Sequence, residues 1–454
     1  MKLRVLITQF ITIIILSLLF GCYEENDKIK VGHYFINSQT GIDDNSGTSK
    51  DTPWKSLKNL ETRIFLPGDT ICFAKGSSYT GGATLKGSGT IVQPVVITSY
   101  GTGDEPKFSN PSNDIVYGNV FRILGKHFVI ENSYFSNCGF GSGPAPGVFD
   151  AGAIFFTAGA DSGIVRNCEF TDVGFGVQTY AKHTLITHNS FHDCNRTMLG
   201  SEWGPIGVAI GASYNEVSYN NFKNIISMGG RFGADGGAIE ILNPNTPKEY
   251  IFIHHNRSYG CEGFLEDTYE GTDKPPLSEH FTIAYNISED YQSFVFFWGT
   301  SNSLICNNTV IKTLPKNSVT DVVFTFKQGK VNTIINNIFV IGKDAITGSI
   351  RKVYSTNATE TWGAGYGDWY SGQIRKNNLY YCFDGSTTEP VNLPLAEGEK
   401  VGDPRFVDWT NRDLHLTSGS PAKDAGLASP YSIDFDGNLV PIGITPDMGV
   451  YEFK

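Results

Sequence analysis

The sequence predicts an all-β solenoid, a parallel β-helix. Three observations predict it: a short motif recurring at coil-length intervals, an asparagine column inside that motif, and a column of small apolar residues in step with it. The motif is an apolar anchor, two variable residues, Asn, one further residue, then often an apolar or aromatic one. It reads Ile186-Thr187-His188-Asn189-Ser190-Phe191 and Val217-Ser218-Tyr219-Asn220-Asn221-Phe222. It returns at Ile253 with Asn256, Ile283 with Asn286, Ile305 with Asn308, Ile334 with Asn337 and Ile374 with Asn377. Two earlier copies, anchored at Ile130 and Val165, carry Ser133 and Cys168 in the asparagine place. Successive anchors lie 21 to 40 residues apart, which is one coil plus insertions of varied length.

Asparagine suits such a column for two reasons. It tolerates the left-handed backbone of a tight corner, and its amide both donates and accepts along a stack of like amides. Eight residues after the anchors come Cys138, Val173, Cys194, Ile225 and Cys261, small apolar side chains expected inside the solenoid. Buried thiols there act as small hydrophobes. Beyond Cys22 the chain has seven cysteines and no CxxC pair, which argues against a complete disulfide framework and a structural zinc site.

At 454 residues and 40% hydrophobic, the chain can bury a large core. A net charge of −11 with no dense basic run excludes nucleic acid as an expected partner. At the N-terminus Lys2 and Arg4 precede a largely apolar run over residues 5–20, closed by Gly21-Cys22, which reads as an export signal. The arrangement resembles a bacterial lipoprotein signal, which implies lipidation at Cys22. Tyr23-Glu24-Glu25-Asn26-Asp27 is similar to the acidic tether that directs such lipoproteins to the cell surface in Bacteroidetes-type bacteria. The expected organisation is signal over 1–22, tether over 23–32 and one domain over 33–454. Within it, 33–115 form the N-terminal cap and first coils, and 400–454 the C-terminal cap. The expected state is a monomer anchored in the outer membrane, facing the cell exterior or, alternatively, the periplasm.

The flanking blocks carry a family resemblance. Thr52-Pro53-Trp54-Lys55-Ser56-Leu57, Pro67-Gly68-Asp69-Thr70, Gly402-Asp403-Pro404-Arg405-Phe406, Ser418-Gly419-Ser420-Pro421-Ala422 and Pro446-Asp447-Met448-Gly449 resemble end segments of secreted bacterial β-helix proteins, the pectin-lyase-like superfamily. That resemblance implies a single-stranded right-handed parallel β-helix with capping segments, and a polysaccharide substrate. It does not choose the reaction.

The reaction must come from residues that line up between coils. Arg231-Phe232-Gly233-Ala234-Asp235-Gly236-Gly237-Ala238-Ile239-Glu240-Ile241 is followed one coil later by Glu262-Gly263-Phe264-Leu265-Glu266-Asp267. Aligning Gly237 with Gly263 puts Glu240 beside Glu266, about 4.8 Å away along the coil, with aromatic residues around Phe297 and Trp298 on a neighbouring coil. Retaining glycosidases hold two carboxylates about 5 Å apart, one as nucleophile and one as acid, and like charges that close favour one proton being kept. The favoured reading is therefore a glycoside hydrolase with Glu240 and Glu266 as the pair and Asp235 assisting. Arg231, Lys182, Trp298 and Glu262 are the expected substrate contacts, and no resident metal is expected. A second reading is a polysaccharide lyase, with Lys182, His183, Arg231, His254, His255 or Arg257 as base and Ca²⁺ held by the acidic cluster. His254 and His255 adjoin the Asn column, so one is expected to point inward. A third reading is a non-catalytic surface glycan-binding protein, in which Trp203, Tyr269, Trp298 and the aromatic stretch over 361–370 stack on sugars.

Overall fold

The computed structural model describes residues 31–454 apart from 112–117, 140–150, 196–203, 227–235, 243–245, 268–277, 316–321, 327–328, 330, 355–371 and 392. Strands of two to six residues stack into three long parallel sheets. Sheet I has 12 strands from His33–Ile36 to Ile374–Lys376, and sheet II has 12 from Ser78–Thr80 to Lys400–Val401. Sheet III has 11, from Ile64–Phe65 to Lys352–Tyr354. Each coil visits I, II and III in turn, as in Leu185–Thr187, Ser190–Cys194 and Ile206–Ile210. The chain is a parallel β-helix, as its repeat predicts.

The anchors form one interior column of sheet I: Ile130, Val165, Ile186, Val217, Ile253, Ile283, Ile305 and Ile334 pair in register. Behind them runs the amide ladder. Each Nδ2 donates to the Oδ1 of the next coil, from Asn189 through Asn220, Asn256, Asn286, Asn308 and Asn337 to Asn378, at 2.9–3.1 Å. Each Oδ1 also takes the backbone N–H of the residue in the same place one coil earlier. Cys168 holds the asparagine place below them, its N–H donating to Asn189. Cys138, Val173, Cys194, Ile225 and Cys261 are buried, as their spacing predicts, and Phe108, Phe135, Phe170, Phe191 and Phe222 stack beside them with centroids 4.5–5.3 Å apart. No described cysteine is in a disulfide.

Two expectations are corrected. The ladder asparagines do not take the left-handed conformation; the residue before each does, at His188, Tyr219, His255, Tyr285, Asn307, Asn336 and Asn377, with φ between 49° and 58°. The amide must point inward to meet its neighbours, so the preceding residue makes the turn. The last copy is also one residue out of step: Arg375 pairs with Ile334, and the ladder continues at Asn378 rather than Asn377. Ile374 then faces outward, and Arg375 lies against the end of the core. There Glu399 terminates the ladder, accepting from Asn378 Nδ2 at 3.0 Å, Tyr380 Oη at 2.6 Å and the Ala396 N–H at 2.8 Å, with Arg375 at 3.6 Å.

At the other end Trp54 is buried and stacks on Tyr34 at 5.4 Å, with the Arg63 guanidinium over both rings. After Lys400–Val401 the chain runs back along the side of the coil. Leu414, Leu416, Met448, Val450 and Tyr451 pack on Ile287, Ile311, Ile338, Val340 and Leu379 of sheet II. Asn307 and Asn336 donate to the Asp447 and Leu427 carbonyls, and Arg412 pairs with Glu289 at 2.7 Å.

Asn286→Ala removes a buried amide that serves three neighbours: the Asn256 backbone N–H loses its acceptor, the Ile253 carbonyl and Asn308 Oδ1 each lose a donor, and Asn256 Nδ2 keeps only its bonds to the Val217 and His254 carbonyls. It is expected to cost about 2–4 kcal/mol in urea unfolding. A cost under about 0.5 kcal/mol would mean that the ladder contributes little.

Candidate active site

The outer face of sheet III carries one column in register along most of the coil: Thr84, Arg122, Phe155, Gln178, Ala209, Glu240, Glu266, Phe296 and Thr325. Glu240 pairs directly with Glu266, as the alignment of Gly237 with Gly263 predicts. The local backbone explains the close approach. Gly237 has φ 136°, and a Cβ there would stand 2.6 Å from the Gly263 carbonyl oxygen, so only glycine fits. Parity then fixes the directions: Ile239 and Ile241 fill the core and Glu240 points out.

The pair stands between two apolar neighbourhoods. On one side Phe175, Ile206, Ala209 and Leu242 cluster outside the sheet with Tyr180 against them. On the other, Phe296 meets Trp298 edge to face at 5.7 Å. Phe296 is the residue beside Glu266, whereas Phe297 turns into the core. Glu240 is 1% exposed although it points away from the core, and Glu266 is half-buried. Carboxylates so placed are shielded from water, which strengthens their action on a bound charge.

Asp267, next to Glu266, turns inward and accepts a 2.6 Å hydrogen bond from Thr300 Oγ1. Burial pushes its carboxyl above the ordinary range, and burial pushes the nearby Lys248 ammonium down to about 8. This cluster fastens the strand from which Glu266 projects. Sequence reading passed over it, as it passed over Arg122, Phe155 and Gln178. Alternation along Leu265-Glu266-Asp267 was the available signal for Asp267.

The other proposed contacts are dispersed. Glu262 is buried at the corner between sheets II and III, taking a 2.7 Å hydrogen bond from Gln292 Nε2. Lys182 is exposed at the corner between III and I, its N–H on Asp161 and its ammonium 5.9 Å over the Tyr214 ring, away from the sheet face that holds the pair. Asp235, Arg231, Cys22, Trp203, Tyr269 and the aromatic stretch over 361–370 lie outside the described residues. Among the described residues no group of three or more His, Cys, Asp or Glu side chains is placed to hold a metal ion.

Residues 77–248 match the family model described as right handed beta helix region. A stretch of 86 residues is 34% identical to a lacto-N-biosidase of Bifidobacterium longum subsp. longum, covering 18% of this chain and 5% of that protein. Among solved structures, a GH136 lacto-N-biosidase from Eubacterium ramulus is 16% identical, with 68% of this chain and 64% of that one covered and a TM-score of 0.42. The chain thus spans a small fraction of the curated relative and under two thirds of this solved one. The complex of XylC with xylose is 9% identical over 93% of this chain and 99% of its own, with a TM-score of 0.50. Likeness at this level shows the fold alone.

The other described candidate bases of a lyase, His183, His254, His255 and Arg257, stand on other surfaces. His183 stacks on Tyr214 at 5.2 Å at the III–I corner. His254 and His255 do not enter the core, contrary to expectation. His254 pairs with Glu216 at 3.2 Å, and His255 lies between Tyr219 and Tyr285 beneath the C-terminal segment, 3.4 Å from the Ile433 carbonyl oxygen. Arg257 reaches Tyr451 of the same segment. Their adjacency to the Asn column is real, but the turn projects them outward and the returning chain covers them. Burial, with His254 beside it, pushes the His255 imidazole down to about 4 from its ordinary 6.5. The unfolded chain therefore takes up a proton that the fold refuses, so this contribution is complete above pH 6.5 and is lost as pH falls toward 4. Urea unfolding between those pH values should show a shallower decline for His255→Phe than for the wild type. Parallel curves would contradict the burial argument.

Proposed function

We propose that this right-handed parallel β-helix protein is an exported carbohydrate-active enzyme, a glycoside hydrolase that cleaves a complex polysaccharide with Glu240 and Glu266 as its paired carboxylates. The observation that carries this reading is their direct register on adjacent coils, outward on one sheet face. Strand spacing of about 4.8 Å suits retention, in which one carboxylate attacks the anomeric carbon and the other protonates the leaving oxygen. Water then releases the sugar, activated by the same acid acting as base. Phe296 and Trp298 offer an aromatic edge to a sugar beside Glu266. Asp235 and Arg231, in the connection that leads to Gly237–Ile241, are proposed to assist and to meet acidic sugar groups. The stretch shared with a lacto-N-biosidase supports hydrolysis, and the scattering of the candidate bases among the described residues weakens elimination. Export and anchoring through Cys22 belong to the same proposal.

Screening plant, algal and host glycans by sugar release and by absorbance near the unsaturated-uronate band tests it. Release without new absorbance is expected, and Glu240→Gln and Glu266→Gln should each lower turnover by about 10²–10⁴-fold while glycan affinity persists. New absorbance would replace hydrolysis by elimination, with Ca²⁺ then to be tested. Binding without any turnover in the wild type would leave a glycan-binding protein.

A further inference from the structure

We propose that the corner between sheets III and I, over the first coils, is a membrane-docking surface that rests on the headgroup region of the bilayer. This rests on the proposed anchoring through Cys22. Five apolar side chains stand open there on ordered backbone. Ile64 is 73% exposed and pairs in register with Lys86, and Leu124, one coil beyond Lys86, is 43% exposed. Beyond them the corner turns present Leu66, Ile91 at 85% and Val92 at 82% exposure.

These turns are not slack. Thr90 and Gln93 exchange backbone hydrogen bonds at 2.9 and 3.2 Å, and the Gly68 N–H donates to the Gln93 carbonyl at 3.0 Å. The Gly89 N–H reaches the Lys126 carbonyl at 2.9 Å, and Ser88 Oγ accepts from the Lys126 N–H at 3.1 Å. Three successive corners are thus tied into one surface. Tight turns normally carry Gly, Asn, Asp or Ser at their tips; this one holds two branched apolar residues fixed in solvent. Exposed apolar groups in one patch mark an interaction site. Lys86 stands among them, with Lys126 at the edge paired to Asp161 at 3.1 Å, so apolar tips with a cationic side chain between them face outward, a mixture that suits a bilayer headgroup surface.

The occupant follows from the chain leading into the patch. The Val31 side chain lies against Gly68, 3.2 Å from where a Cβ would stand. Eight residues lie between Cys22 and Val31, which limits the reach from one to the other to about 30 Å. A lipid on Cys22 therefore keeps this corner within that distance of the bilayer, at high effective concentration. A protein partner would have no such tether.

The full chain, reconstituted in phosphatidylethanolamine–phosphatidylglycerol vesicles, tests the proposal. Ile91→Cys and, as a reference near the C-terminal end, Ile346→Cys (59% exposed in the wild type) are labelled with an environment-sensitive fluorophore. The unsubstituted chain gives the labelling background. The probe at position 91 should shift to the blue and be quenched by doxyl lipids at least about threefold more than the probe at 346. Equal quenching of both probes by aqueous iodide, without doxyl quenching, would overturn the docking surface. So would a signal at 91 that follows protein density rather than lipid, which would point to a second copy. Flotation of the wild type beside Cys22→Ala separates the two ideas. A floating wild type with a solvent-exposed position 91 defeats docking alone, and a wild type that does not float overturns anchoring and docking together.

Discussion

The buried asparagine ladder is the interaction on which the rest of the structure depends. A coil of three short strands can drift by one residue wherever an insertion lengthens a corner, and a one-residue slip turns every side chain to the other face. The ladder prevents that drift. Each amide binds the next amide and the backbone of a neighbouring coil, at 2.8–3.1 Å from Asn220 to Asn337. A misplaced coil would leave several buried polar groups without partners, each costing about 1–3 kcal/mol. Glu399 closes the ladder where asparagines end, so the last amide is also satisfied.

Fixed register inside produces fixed register outside. Glu240 and Glu266 are opposite one another because Ile239 and Leu265 are opposite one another in the core. Gly237 lets that part of the strand approach the next coil, and Asp267, held inside by Thr300, keeps Glu266 outward. The connections into sheet III vary in length without disturbing this column. Such folds place function in insertions and on one sheet face while the core stays constant.

Much of this was legible in the sequence because periodicity reports packing directly. The Asn and Cys columns gave the interior, and counting from them put Glu240 beside Glu266. Other features were hidden for physical reasons. The left-handed residue could not be told from the Asn beside it, since both favour a turn. The final copy at Ile374 kept the motif's appearance after the chain had shifted by one, because Arg375 can face the core only when Glu399 and Tyr354 receive it. His254 and His255 looked available because nothing local shows that a segment about 180 residues later lies over them. Glu262 looked like a groove residue because its hydrogen bond to Gln292 crosses coils.

The most direct test of the central claim is the stereochemistry of the first product. Two carboxylates on neighbouring strands leave no room for a water between carboxylate and sugar, which inversion needs at a separation of about 6.5–9.5 Å. Proton NMR of the freshly released sugar should show the anomer of the substrate retained. Release of the opposite anomer would contradict Glu240 and Glu266 as the catalytic pair.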